Sequence, residues 1–234
     1  REICRFVENK GTYMGFCGGA GLALNNNPWP GLGLCHWKRK PATARLPNCS
    51  GHIKVHSAPC ASGFPQTLNS PVYVPIWWPS QFEHTSSSGI DILARYQEPD
   101  TDFWVADLPL SGTDRELISR WEDLYNINLD PDLLLNEPGM ISGYYGQGNF
   151  LLSYLHLETP NSPAANLWLY NLLSKLGASA SEPGIVQDKE KMDQCLIPEW
   201  DLRNIPQSWD DPKLQEAINI LQELIRIGEE NFLF

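Results

Sequence analysis

Two short stretches of this chain carry residue types that can do chemistry together. The first is Gly15-Phe16-Cys17-Gly18-Gly19, which has the form G-x-C-x-G. In a nucleophile elbow a strand turns abruptly into a helix and the nucleophile sits at the strained apex. Small residues two before and two after the apex, here Gly15 and Gly19, let the flanking backbone pass without a clash. A helix N-terminus behind a thiol favours the thiolate, the reactive form. The amide of Gly18, directly after Cys17, is placed to hydrogen-bond a developing oxyanion. The second stretch is His156-Leu157-Glu158. An imidazole at a strand end can take a proton from a nucleophile on the neighbouring strand. A carboxylate two residues on can hold that imidazole in the correct tautomer.

The elements needed to position these groups are legible. Thr12 to Phe16 is apolar throughout and stops at Cys17, the pattern of a buried parallel strand. Arg1 to Glu8 reads as a helix, and a further helix begins within Ala20 to Asn25. Met140 to Tyr145 and Asn149 to His156 flank Gly146-Gln147-Gly148 and predict a hairpin that delivers His156. Gly51 to His56, Val72 to Trp78, Ile90 to Tyr96 and Trp104 to Leu108 read as strands. Thr113-Asp114-Arg115-Glu116 forms a capping box for a helix to about Tyr125. Ser162-Pro163 opens another helix, which Gly177 stops. Near the end, Asp211 with Pro212 starts a helix whose apolar stripe falls at Leu214, Ala217, Ile218, Leu221, Leu224 and Ile225. Residues 26–70 are rich in Pro, Gly and Asn and read as a loop-rich insertion, and 179–234 as a C-terminal helical extension of one domain.

Taken together, the elbow and the closing Gly146-Gln147-Gly148-Asn149-Phe150-Leu151-Leu152-Ser153 followed by His156-Leu157-Glu158 resemble the class I glutamine amidotransferases. In that family a G-x-C-x-G elbow is followed, near the domain end, by a strand and then H-x-E. Gly15-Phe16-Cys17-Gly18-Gly19-Ala20 is most similar to the branch named after the N-terminal domain of biotin protein ligases. Leu157 stands where a proline is common. The resemblance implies a flavodoxin-like three-layer α/β sandwich with a mostly parallel sheet, a nucleophile elbow and antiparallel additions, bearing a Cys17-His156-Glu158 triad. It also implies several βα units before the elbow, where this sequence has one helix, so the first βα units are expected upstream of Arg1.

Composition narrows the partners. The chain has 234 residues, is 42% hydrophobic and 19% charged, and contains no apolar run of membrane-spanning length. A formal net charge of −11 repels a phosphate backbone, and Lys38-Arg39-Lys40 is the one basic run, so nucleic acid is excluded as a partner. Six cysteines without a CxxC pair fit a reduced, cytoplasmic protein better than a disulfide scaffold.

Weaker sites are set aside. Cys49, His52, His56 and Cys60 include proper zinc ligands, but on a strand His52 and His56 lie roughly 13 Å apart. No metal is therefore expected. Glu98, Asp100 and Asp102 read as a solvated acidic turn, and among Trp29, Trp37, Trp77 and Trp78 one or two line a substrate pocket.

The leading expectation is a cofactor-free amidase or amidotransferase acting on a small-molecule carboxamide. In it Cys17 attacks, the Gly18 amide stabilises the oxyanion, His156 moves the proton and Glu158 orients His156. One rival is a non-catalytic interaction module with the same residues, bound to a protein partner or to a second copy. Another is a redox or stress protein built on the same elbow.

Overall fold

A computed structural model of the chain describes residues 1–25, 31–57, 64, 71–83, 89–106 and 108–177, together with 216, 218–220, 222, 223 and 226. The order of elements is α1 (Glu2–Glu8), β1 (Thr12–Phe16), α2 (Gly18–Ala23), β2 (Lys38–Arg39), β3 (Cys49–Ser57), β4 (Val72–Trp77), β5 (Phe82–Glu83), β6 (Ile90–Pro99), β7 (Trp104–Val105), β8 (Leu108–Pro109), α3 (Arg115–Tyr125), β9 (Pro138–Tyr145), β10 (Gly148–Ser153) and α4 (Pro163–Lys175). Eight strands form one sheet in the order β1-β10-β9-β6-β3-β7-β8, with β4 paired to β3, and β2 pairs with β5 separately.

This sheet corrects the expected flavodoxin-like, mostly parallel sandwich. Among the described strands, β1 against β10 is the parallel ladder. The ladders β10–β9, β3–β4, β3–β6, β3–β7, β6–β9 and β7–β8 are all antiparallel. The reason lies in the connections. A parallel neighbour needs a crossover of a dozen or more residues, whereas an antiparallel one needs only a hairpin. Gly146-Gln147 is the whole link between β9 and β10, with Gly146 in the left-handed region at φ +61°.

Alternation along β3 and β4 carries the same message. Ile53 stands opposite Val74 and Val55 opposite Val72, and all four are buried. The intervening pairs, Ser50 with Trp77 and Lys54 with Tyr73, face outward, and both aromatic rings are exposed. One wet and one dry face is the habit of antiparallel sheets. By contrast β10 is buried on both faces: Phe150, Leu152 and Tyr154 join a core with Val7, Ala20, Leu24 and Trp37, while Leu151 and Leu155 join the main core.

Helix α4 covers the main core with Ala165, Trp168 and Leu172, spaced three and four apart on one face. Ser162 precedes Pro163 at the first helical position, and Gly177 follows at φ +73°. Helix α3 begins one residue later than the capping box predicts: Asp114 is the cap and accepts from the Glu116 amide at 2.9 Å. Asn126 ends it in the left-handed conformation at φ +51°.

The expected loop-rich segment 26–70 contains β3, an interior strand of the sheet. The chain divides into two compact units, Arg1–Cys195 and Leu196–Phe234. In the second, residues 216, 218–220, 222, 223 and 226 are helical, with an ion pair of 2.6 Å between Arg226 and Glu223. Ile218 lies on that helix, and the stripe positions Leu214, Ala217, Leu221, Leu224 and Ile225 fall outside the described residues. Among the described residues no helix is long and apolar enough to cross a membrane.

Trp168 is 1% exposed and is among the largest fully buried side chains. Trp168→Ala is expected to lower unfolding free energy by about 3–5 kcal/mol, read from the shift of a denaturant midpoint.

Candidate functional site

Cys17 occupies a backbone conformation that a residue with a Cβ rarely adopts, φ +47° and ψ −108°, between the end of β1 and the start of α2. Such a conformation costs on the order of 1–3 kcal/mol and persists because its surroundings fix it. Here the fixing is visible on both sides. The Cys17 amide donates to the Ser153 carbonyl of β10 at 2.8 Å, and the Gly21 amide donates back to the Cys17 carbonyl at 3.1 Å.

The flanking glycines have distinct duties. A Cβ on Gly15 would stand 2.7 Å from the backbone carbon and oxygen of Gly19, so the spacing two before and two after is a steric requirement. Tyr13 ties the same turn down, its hydroxyl donating to the Gly19 carbonyl at 2.8 Å. Gly18 is different: a Cβ there meets nothing within 4 Å. Its amide lies in the first turn of α2, where no intrahelical acceptor exists.

The parallel ladder sets Phe16 against Ser153, which brings Cys17 level with the stretch leading to His156. The His156 amide donates to the Pro75 carbonyl of β4 at 2.9 Å, and the imidazole lies against Trp77 with ring centroids 6.0 Å apart. Nδ1 of His156 is 2.7 Å from a carboxylate oxygen of Glu158. An ionised carboxylate only accepts, so this contact places a proton on Nδ1, and in the neutral imidazole Nε2 is then the acceptor. That Nε2 is buried and has no hydrogen-bond partner. The His156–Glu158 pair is therefore formed as the sequence predicts. Cys17 stands at the end of the adjoining strand and makes no hydrogen bond to Nε2.

A pocket of about 210 Å³ opens beside Cys17, lined by Gly18, Gly21, Arg39, Trp78, Ser80 and Tyr154. Ser80 is nearly buried, and its oxygen accepts from Nε of Arg39 at 2.5 Å, which leaves the hydroxyl proton able to point into the pocket. Burial pushes the Tyr154 phenol up to about 12, so it stays protonated at neutral pH. Its hydroxyl lies near Ser80 without hydrogen-bond geometry. Trp78 sits at the lip, 72% exposed and at φ +40°, a conformation that is an outlier for so bulky a side chain.

Sequence reasoning named Trp78 as one of four aromatic candidates but missed Arg39, Ser80 and Tyr154. No spacing rule links a serine after β4 or an arginine on a two-residue strand to a cysteine far away in the chain. The one available signal is the Trp78-Pro79-Ser80-Gln81-Phe82 run between two strands, buried from Pro79 to Phe82.

The remaining candidates resolve simply. His52 lies on β3, with Nδ1 2.7 Å from Asp102, and Cys49 is buried with its thiol raised to about 12 by burial. Cys60 lies outside the described residues, and among those described no group of three His, Cys, Asp or Glu can hold a metal. The acidic turn is partly engaged, since Glu98 pairs with Lys54 at 2.5 Å and Asp102 with His52. Trp37 is core, packed against Phe82. Trp29 lies outside the described residues.

No protein-family model and no curated protein matches the chain. Among solved structures it is similar to a β-galactosidase from Rahnella sp. R3, at 13% identity and a TM-score of 0.41, over 75% of this chain and 20% of that one. It is similar to a β-galactosidase from Bacillus circulans sp. alkalophilus at 13% identity and a TM-score of 0.39, with the same coverage. The chain thus spans about a fifth of the length of either enzyme, and superpositions this loose assign neither fold nor activity.

Two outcomes follow from the geometry. Gly15→Ala should destabilise the fold by about 1–3 kcal/mol, because backbone must shift, while Gly18→Ala should change the melting temperature little. Iodoacetamide near neutral pH should label half-buried Cys17 well before Cys35 and Cys49, whose thiols burial raises to about 11 and about 12. Peptide mapping by mass spectrometry gives the order directly.

Proposed function

We propose that the chain is a cysteine-nucleophile hydrolase of the amidase type, acting on a small carboxamide or passing its ammonia to a partner. The observation that carries this reading is that two features follow adjoining parallel strands, Cys17 directly after β1 and His156 three residues past the last residue of β10. One is a nucleophile held at φ +47°, and the other is an imidazole whose Nδ1 is held by Glu158 while its Nε2 is buried and unengaged. The reading keeps the local resemblance to the class I glutamine amidotransferase site and rests on the site alone, since fold does not define function.

In the proposed reaction Nε2 of His156 takes the Cys17 thiol proton as the sulfur attacks the amide carbonyl carbon. The C=O π pair moves onto oxygen, stabilised by the Gly18 amide and the Ser80 hydroxyl. As the C–N bond breaks, the imidazolium returns the proton to nitrogen, and ammonia leaves with a thioester on Cys17. Water, deprotonated by Nε2, then releases the carboxylic acid and restores the thiol. Glu158 keeps the Nδ1 proton in place and stabilises the imidazolium. The unpaired state of Cys4, Cys17, Cys35 and Cys49 supports a reducing, cytoplasmic setting.

The second reading, a non-catalytic module, is favoured by one fact: Nε2 of His156 makes no hydrogen bond to Cys17. The two readings separate in a single assay. Ammonia release from glutamine and a panel of simple amides should be lost in Cys17→Ala. It should fall by about 10²- to 10⁴-fold in His156→Ala and about 10²-fold in Ser80→Ala, with unfolding midpoints unchanged. Equal release by wild type and Cys17→Ala across the panel makes the non-catalytic module the correct reading.

A further inference from the structure

The outward face of β3 carries an arrangement that reaches the Cys17 chemistry only at Trp77, one side of which lies against His156. Ser50 pairs with Trp104 of β7 on one side and with Trp77 of β4 on the other. Directly paired residues project to the same face, so the two indoles flank Ser50 in one row. The opposite face of the same strands is core, with Cys49, Ile53, Val74, Ile76 and Val105 all buried. On the outward face Trp104 is 44% and Trp77 is 61% exposed. Two large rings held in water at fixed separation on a rigid sheet are an interaction surface without an assigned role.

A polar pair beside this row is pre-organised. His52, two residues along β3 and on the same face as Ser50, is clamped by one carboxylate at two points. Asp102 accepts from the His52 amide at 2.9 Å and lies 2.7 Å from its Nδ1. Partial burial of Asp102 raises its carboxyl, but the hydrogen bonds from His52 outweigh this and the net shift is downward, so the carboxylate is charged and only accepts. The contact places a proton on Nδ1, and in the neutral imidazole Nε2 is then an acceptor.

We propose that this face binds a neutral oligosaccharide, one pyranose ring stacked on Trp104, another on Trp77, and a hydroxyl between them donating to Nε2 of His52. Two interstrand spacings separate the indole-bearing backbones by roughly 10 Å, more than one ring can bridge, so the ligand has at least two rings. Acidic Asp102 and a net charge of −11 disfavour an anionic ligand, which removes nucleic acid and sulfated glycans. The central acceptor also discriminates. A polyproline peptide stacks on paired aromatics, but its prolines have no N–H to give Nε2, whereas every sugar hydroxyl has a proton to donate.

The test uses the full chain, titrated with neutral β-glucan, α-glucan, mannan, galactan and chitin tetrasaccharides. Binding is followed by indole fluorescence and by saturation-transfer NMR. At least one tetrasaccharide should bind and saturate. Trp104→Ala should weaken it roughly tenfold, the scale of one lost stacking ring, and Trp104→Phe should recover part of the loss. His52→Phe, which removes the acceptor and keeps the bulk, should weaken it as well. Thermal unfolding of each variant checks the fold, and Trp104→Phe serves where Trp104→Ala fails to fold. The proposal is overturned if none of the five tetrasaccharides binds at its solubility limit. It is equally overturned if both Trp104 variants bind as wild type, or if a proline-rich decapeptide or a sulfated tetrasaccharide binds in preference.

Discussion

The parallel ladder between β1 and β10 is the constraint on which the candidate site depends. It joins residues 137 apart in sequence, and Thr12 fixes its first rung by donating to the Asn149 side chain at 2.6 Å. Cys17 and His156 belong to chain segments with no local reason to meet. The register sets Phe16 against Ser153, so Cys17 and the stretch leading to His156 follow the same end of one strand pair, and a slip of one residue would send every side chain of β1 to the other face. Closing so long a loop costs little more than closing a shorter one, because the entropy grows only with the logarithm of length. What secures the ladder is the burial of β10 on both sides, with Phe150 and Leu152 in one core and Leu151 in the other.

From that anchor the sheet changes character. β9, β6, β3, β7 and β8 follow by antiparallel pairing, and α4 and the core around Trp168 cover the dry side of β3 and β4. The wet side is thereby free to carry Trp77, Trp104 and the His52–Asp102 pair without competition from core packing. A mostly parallel sheet, flanked by helices on both faces, would have left no such surface. The antiparallel topology therefore supplies both the support beneath His156, through the Pro75 carbonyl, and a second exposed face.

Much of this was legible in the sequence wherever the signal is local. The apolar run ending at Cys17, the Gly146-Gln147 turn and the Ser162-Pro163 start are each decided by a few adjacent residues, and each forms, while the capping box places the α3 cap one residue early, at Thr113 instead of Asp114. The His156–Glu158 contact was legible for the same reason, since two residues separate its partners. Sheet topology was not. An apolar run such as Thr12 to Phe16 has the same composition whether its neighbour runs parallel or antiparallel, and the resemblance at the elbow tipped the expectation toward a parallel sandwich. The alternation in β3 and β4, Ile53 and Val55 against Lys54, and Val72 and Val74 against Tyr73, was the available contrary evidence. The pocket wall was illegible on principle, because Arg39, Ser80 and Tyr154 converge only through tertiary pairing.

Strain is concentrated where the pocket is. Of the non-glycine residues at positive φ, Cys17 and Trp78 both line the pocket, and neither has the short polar side chain that makes that conformation easy. Cys17 is held by the ladder on one side and α2 on the other, while Trp78 is held by its amide bond to the Cys49 carbonyl at 2.7 Å. Cys49 belongs to β3, the strand that also positions Trp77 and, through it, the ring of His156. One strand thus props both the lip of the pocket and the imidazole. The two strained backbones are fixed from different strands, Cys17 from β10 and Trp78 from β3, and relaxing either would move the pocket wall relative to the nucleophile. Strained positions survive only where the surrounding structure over-determines them, and here β10 and α2 fix Cys17 while β3 fixes Trp78.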